Sequence, residues 1–521
     1  MGKDKKKTAG KEIKSREAFL ARLAAELEEA RERNGSDEIG SGFTTDCLYA
    51  NELGDGMLYA ELHRGKYVFE KNSESWYRWT GHYWELDVMR EAVSAVENVA
   101  QAYLDVAHEL VDKIARAKSD SDRDALKERQ DDIYKRVSRL RGDRGRRKTL
   151  EFAHSNPFNA LDVSSECFDL DPFALACQNG VIDLRTGELR PGRPRDYITK
   201  ACPVEYAGVD IPADRWERSL LEIFEDDENL IAYLQRLFGY CLTGKVTEHI
   251  LPIFVGRGRN GKGTIIETIK NHVMGPLASV IQAEMLLDTG RARNPAGPSP
   301  DKMALKGARL VYASETDENR RFSTATIKSF TGGDTIRARN PHDKFEIQFR
   351  PTHKLILSTN DLPHVSSSDY AFWARTHVVP FKLSFVRHKP KEDFERPADP
   401  DLPDKLADEA AGILAWMVRG CIAWQREGLN PPPVVTEATR KYQRREDIVA
   451  DFIDECCVRR PGLRTRSSEI YSEFRVWWKD TISNKPLSKN KFGKLFVKHF
   501  RREKEGVIYY LDVALKGGDY A

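Results

Sequence analysis

The sequence is poor in the features that mark several large classes of protein. Its eight cysteines (Cys47, Cys167, Cys177, Cys202, Cys241, Cys421, Cys456 and Cys457) are scattered, with no Cys-x-x-Cys pair and no His or Cys cluster at zinc spacing. This excludes a disulfide-stapled scaffold and a zinc finger, and it suits a reducing compartment. Adjacent Cys456 and Cys457 read as small buried hydrophobes. No run approaches the roughly 18 apolar residues of a membrane span. Lys3, Lys5, Lys6 and Lys7 are followed by no apolar core, so the start of the chain does not read as a signal peptide, and the expected location is the cytoplasm. Charge of one sign is also lacking. The formal net charge is only +2, so any nucleic-acid contact must come from local basic patches. No repeat of solenoid or propeller period is present.

What the chain does have is length and apolar content. At 521 residues, 40% hydrophobic and 31% charged, it can bury several cores, and about two to four domains are expected. Residues 1–43 read as a basic tail followed by a helix over 16–34 and a Gly-Ser linker over 35–42. Residues 44–215 mix aromatic strands, such as Trp76 to Trp84, with a helix from about Val88 to Leu104 and a charged helical stretch over 108–148. The basic cluster Arg139 to Lys148 reads equally as a phosphate contact or a solvated helix end. Two short strands around Arg185-Thr186-Gly187 suggest a hairpin. Residues 216–430 alternate strands and helices as a layered α/β domain does. Pro431, Pro432 and Pro433 open a linker over 431–447. Residues 448–521 read as three helices and a hairpin.

The most informative stretch runs from Ile250 to Thr264. An apolar strand leads into Gly256-Arg-Gly258-Arg-Asn260-Gly261-Lys262-Gly263-Thr264, and a helical pattern follows. This is the setting of a P-loop. The glycines let backbone N–H groups turn inward around phosphate oxygens, and Lys262 would reach the outer phosphates of ATP. The residue after the lysine, ordinarily Ser or Thr, is Gly263. Thr264 is therefore the expected hydroxyl ligand of Mg²⁺.

ATP hydrolysis also needs an acid for the metal and its water, a sensor of the terminal phosphate, and positive charge for the transition state. Arg309 to Glu315 reads as a second apolar strand ending in an acid, which would place Glu315 near the metal, with Asp317 and Glu318 as alternatives. Lys354 to Pro363 reads as a third strand ending at Asn360, a polar group for the terminal phosphate and the attacking water. By itself this segment is an ordinary turn, and its weight comes from following the other two. Thr335 to Arg339 and Phe345 to Phe349 alternate like paired strands. Their hairpin carries Arg337, Arg339, His342 and Lys344, suited to a phosphodiester backbone. Arg375 stands just ahead of a further apolar strand, where either a salt bridge or a catalytic contact with a neighbouring subunit would fit.

In this order and spacing, the motifs closely resemble those of superfamily 3 helicases, in particular the phage and plasmid primase-helicase group related to the poxvirus primase-helicase. The resemblance covers most of the chain after residue 43. It implies an α/β fold: an AAA+-type P-loop ATPase core, preceded by an N-terminal α+β domain and followed by a C-terminal winged-helix domain over 448–521. There Lys489, Lys491, Lys494 and Lys498 mark a basic second helix. It further implies an ATP- and Mg²⁺-dependent DNA helicase of a phage, prophage or plasmid in a bacterial host. The enzyme would be a hexameric ring moving 3′ to 5′ on single-stranded DNA at replication forks, without a membrane and with a replicative polymerase or primase as a further partner. Lys262, Thr264, Glu315 and Asn360 would come from one subunit and Arg375 from the next, with His342 and Lys344 in the channel.

Three other readings compete. A combined primase-helicase needs clustered carboxylates, and the candidate Asp-x-Asp pair for it is Asp169-Leu170-Asp171. A small-molecule kinase would share Gly-Lys-Gly-Thr but is usually much shorter. An origin-binding initiator would use the basic C-terminal helix.

Overall fold

The computed structural model describes residues 41–288, 299–314, 320–339, 341, 346–366, 369–481 and 486–516. The expected helix over 16–34 lies outside them. The chain divides into two compact units. The first is built mainly from residues up to Asp171, and the second contains everything from Cys202 onward.

The first unit is α+β. Helix α1 (Asn51–Leu62) packs with α2 (Val96–Arg116) and α4 (Asp143–Ser155), and both of these pack with α3 (Asp120–Arg141). In α2, Val96, Val99, Ala100, Tyr103, Ala107 and Leu110 recur at helical spacing and are all buried. Gly56 allows the close approach of α1 and α4, since a Cβ there would stand 2.6 Å from the Phe152 carbonyl carbon. Beside it Asp55 is buried and accepts from Tyr103 Oη (3.0 Å) and Arg136 Nη1 (2.9 Å). Burial nonetheless pushes the Asp55 carboxyl up, against the pull of Arg136. Strands β1 (Tyr67–Glu70), β2 (Ser75–Trp79), β3 (Trp84–Leu86) and β4 (Asp162–Val163) form a sheet in the order β3-β2-β1-β4.

The expected helix from Val88 begins later. Val88 and Met89 are exposed in a loop, and the long helix runs to Arg116 because its apolar stripe continues through Leu110. Most of the basic cluster at 139–148 is structural. Arg139 pairs with Asp55, Arg141 with Glu97, Arg147 with Asp143 and Lys148 with Glu151. Asp169 is also engaged within the fold, accepting from the Thr199 backbone (2.9 Å) and hydroxyl (2.6 Å).

Strands β5 (Ala174–Cys177), β6 (Gly180–Asp183) and β7 (Glu188–Arg190) follow, and the β6–β7 turn is the hairpin expected at Arg185-Thr186-Gly187. In the second unit, helices α5 (Asp214–Phe224) and α6 (Glu228–Leu242) precede a five-stranded parallel sheet. Its strands are β8 (Leu251–Val255), β9 (Ala278–Gln282), β10 (Leu310–Ser314), β13 (Lys354–Thr359) and β14 (Thr376–Pro380), in the order β14-β8-β13-β10-β9. The sheet interior is apolar on both faces, as a covered parallel sheet requires: Leu251, Ile253, Val311, Ala313, Leu355, Leu357 and Val378 are buried on one face, and Phe254, Leu310, Ile356 and Val379 on the other. Strands β11 (Ile336–Ala338) and β12 (Ile347–Phe349) form the expected antiparallel hairpin. Strands β15 (Ser384–Val386) and β16 (Glu395–Pro397) pair separately, and Ala410–Glu427 is a helix packed on α6.

The last segment has the three expected helices at Ile448–Cys456, Ser467–Thr481 and Lys489–Phe496. Its hairpin is β18 (Arg502–Glu505) with β19 (Val507–Leu515). A strand absent from the sequence reading, β17 (Cys457–Arg466), pairs with β19 on the other side. Pro461-Gly462 reads as a breaker, yet it falls within the register shift between Arg459 and Arg464, where an irregularity tolerates both residues.

Candidate functional site

The chain leaves β8 toward the far edge strand β9, and leaves β13 in the other direction, past β8 to β14. The loops after these two adjacent strands therefore diverge. In parallel sheets such a divergence opens a crevice at the carboxyl ends of the strands. The Gly256–Gly261 loop follows β8 and Asn360 follows β13, so the topology brings the two segments to one place.

The loop is held in shape before any ligand arrives. A Cβ on Gly256 would meet the Phe381 carbonyl oxygen at 2.3 Å, and Gly261 has φ +88° with Ile223 close by. Arg259 adopts φ +63°, and its carbonyl accepts from the Phe385 backbone N–H at 2.6 Å. Asn260 is 3% exposed. Its Oδ1 accepts from the Lys262 backbone (3.4 Å), while its Nδ2 is buried without a partner. A buried amide lacking an acceptor is costly, and an anion in the loop would supply one.

Lys262, at the start of helix α7 (Lys262–Glu267), is 7% exposed. Its Nζ donates to the Gly256 carbonyl and lies 3.4 Å from Asn360 Oδ1. Burial pushes its ammonium down to about 8. Ser314 ends β10 one strand beyond β13, in register with Ser358. Glu315, with its alternatives Asp317 and Glu318, lies outside the described residues. Among the described residues no group of three or more His, Cys, Asp or Glu side chains could hold a metal ion.

Thr264 is not brought to Lys262 and Asn360. At about 100° per residue it lies roughly 200° around the helix from Lys262. It lines a separate cavity of about 270 Å³ with Gly261, Arg215, Ile223, Arg259, Phe385 and Arg387. The sequence reading missed this cavity, because its walls come from segments more than 100 residues apart. Gly263, between Lys262 and Thr264, is exposed, and a Cβ there would meet nothing within 4 Å.

The remaining candidates lie elsewhere. Arg375 precedes β14 at the amino end of the sheet, about 16 Å of strand away from the glycine loop. Its Nη1 donates to the Ala371 carbonyl (2.6 Å) and its Nε is buried without a partner. Arg337 is exposed on β11 and Arg339, just past its end, is half-buried, whereas His342 and Lys344 lie outside the described residues. Lys491 and Lys494 are exposed on a helix that buries Phe492 and Phe496.

A protein-family model described as D5 N terminal like matches residues 56–225, and a family of unknown function (DUF5906) matches residues 254–375. The chain is 29% identical over 365 residues to a protein of Acanthamoeba polyphaga mimivirus named "Putative helicase", covering 65% of this chain and 37% of that one. It is 27% identical over 393 residues to a protein of the same designation from Frog virus 3 (isolate Goorha), covering 62% of this chain and 40% of the relative. The apo A form of the NrS-1 C terminal region is similar at 12% identity, covering 71% of this chain and 89% of that one. Its TM-score of 0.41 is too low to carry an argument.

The protein has an N-terminal α+β region and a sheet-containing C-terminal region. Residues 56–225 match the D5 N terminal like model, and the chain is similar to viral proteins named putative helicases. The chain spans less than half the length of these two viral relatives. Among the described residues no helix is long and apolar enough to cross a membrane.

Proposed function

We propose that the protein is an ATP-dependent replicative DNA helicase. The observation that carries this reading is the crevice itself: a conformationally held glycine loop, a buried Lys262 and the sensor candidate Asn360 converge at the divergence point of a parallel sheet. Lys262 would bind the outer phosphates of ATP, and the unpartnered Asn260 amide fits the same anion. Glu315 would hold Mg²⁺, which would neutralise the developing charge on the transferred phosphate.

In this reading residues 216–430 form an AAA+-type ATPase and residues 448–521 a winged helix. Arg375 lies at the opposite end of the sheet from its own chain's loop, which suits a contribution to a neighbouring subunit in a hexameric ring. The β11–β12 hairpin, with Arg337, Arg339, His342 and Lys344, would track single-stranded DNA through backbone charge. Lys491 and Lys494 would add a second contact with DNA. A bacterial phage or plasmid host belongs to the proposal, whereas both viral relatives described above come from an Acanthamoeba and a frog virus.

The test is ATP hydrolysis with and without single-stranded DNA. Stimulation by DNA, abolished in Lys262→Ala and in Arg375→Ala but regained when the two inactive proteins are mixed, is expected. Full activity of Arg375→Ala alone would remove the shared site. Stimulation by nucleoside monophosphates in place of DNA would favour a kinase, and de novo primer synthesis would revive the primase reading.

A further inference from the structure

Resting on that nucleotide reading, we propose that Thr264 serves the nucleotide rather than the metal, and that the loop supplies no side-chain hydroxyl to Mg²⁺. Three observations converge. First, Lys262 and Thr264 are two residues apart in a helix and so face nearly opposite ways. Lys262 is turned to the sheet with buried Ile265 and Ile266, and its Nζ lies by Asn360. Residues that would hold a metal for the outer phosphates would lie on that side, where the strand carrying Ser314 also ends.

Second, Thr264 is turned to the 270 Å³ cavity, whose lining fits the other end of a nucleoside triphosphate. Ile223, Phe385, Pro397 and Leu402 give it apolar walls for a base. Arg259 and Arg387 add two cations that form no ion pair among the described residues. Arg215 is already committed, at 3.2 Å from Glu222 and 3.5 Å from Asp399. A hydroxyl between the loop and this cavity is placed to donate to the phosphate nearest the sugar. Third, the intermediate helical position is Gly263. The space around its missing side chain is open, so a serine would fit there without displacing a neighbour. The position between the phosphate side and the cavity side is thus sterically available but has no hydroxyl.

The two roles separate by metal dependence. ATP binding would be measured calorimetrically in excess Mg²⁺ and again in EDTA. Thr264→Val is expected to weaken ATP about tenfold in both conditions, the cost of one hydrogen bond to a charged group, with Thr264→Ser restoring it. Gly263→Ser is expected to raise the ratio of affinities with and without Mg²⁺ by a similar factor. A loss in Thr264→Val confined to the Mg²⁺ condition would overturn the assignment. So would a Thr264→Cys protein that recovers with Mn²⁺ in place of Mg²⁺, or an unchanged ratio in Gly263→Ser. If Lys262→Ala binds ATP as the parent does, the nucleotide reading itself fails, whatever Thr264 does.

Discussion

Two buried lysines stand at opposite ends of the same parallel sheet, and their surroundings differ. Lys354, at the amino end of β13, is 3% exposed and gives its protons to backbone carbonyls of Thr243, Thr352 (3.1 Å) and Lys245 (3.4 Å). Next to it, buried Arg309 donates to the carbonyls of Leu242 and Ala174 (2.7 Å). The two cations cap the carboxyl end of helix α6, where unpaired carbonyls and the helix dipole both favour positive charge. Lys262, at the carboxyl end of the sheet, is nearly as buried, yet its protein acceptors are one carbonyl and a more distant amide. Burial pushes both ammoniums down, Lys354 to about 7 and Lys262 to about 8. A buried cation is therefore not in itself a site. What sets Lys262 apart is an incomplete acceptor set beside a glycine loop.

The comparison makes predictions that can break it. Replacing Lys262 with Ala should weaken ATP at least about 100-fold by titration, since charge-assisted bonds to phosphate are lost, while the melting temperature holds. Replacing Lys354 with Met should do the reverse. Its three carbonyls lose a donor in the interior, costing about 2–4 kcal/mol and several degrees of melting temperature by calorimetry, with ATP affinity of the folded protein retained. Should Lys354→Met lose ATP binding at unchanged stability, the two ends of the sheet would not have separate roles.

A smaller effect concerns pH. Lys262 in the free protein is charged below about 8, and bound phosphates favour the charged form. ATP affinity should be flat at lower pH and fall by about tenfold per unit above 8, until the raised pKa of the complex is reached. A flat profile up to pH 9.5 in equilibrium binding would contradict the assignment. The smallest effect belongs to the C-terminal region. Lys491→Ala with Lys494→Ala should lower the salt slope of DNA binding by about 2 if both contact duplex phosphates. An unchanged slope would leave that helix to protein contacts.

Much of the core was legible in the sequence, for identifiable reasons. The strands at 251–255, 310–314 and 354–359 are continuous apolar runs ending at glycine or polar residues, a pattern that a covered parallel sheet imposes directly. The spacing of Gly256, Gly261 and Lys262 announced the loop because its backbone geometry tolerates few other residues. Strand β17 was hidden because Pro461 and Gly462 sit inside it, and a register shift is not visible in composition. The basic run at 139–148 was ambiguous because its partners, Asp55 and Glu97, lie some 40 to 85 residues away. The cavity beside Thr264 was illegible for the same reason, since Arg215, Thr264 and Arg387 meet only in the fold.

The most direct measurement is proton uptake on ATP binding at pH 8, by titration calorimetry in buffers of different ionisation enthalpy. The parent protein should take up about half a proton as phosphates arrive at a half-titrated Lys262. Lys354→Met should match it, and Lys262→Arg, which stays charged at this pH, should take up none. Equal uptake by the parent and by Lys262→Arg would contradict the placement of ATP on Lys262.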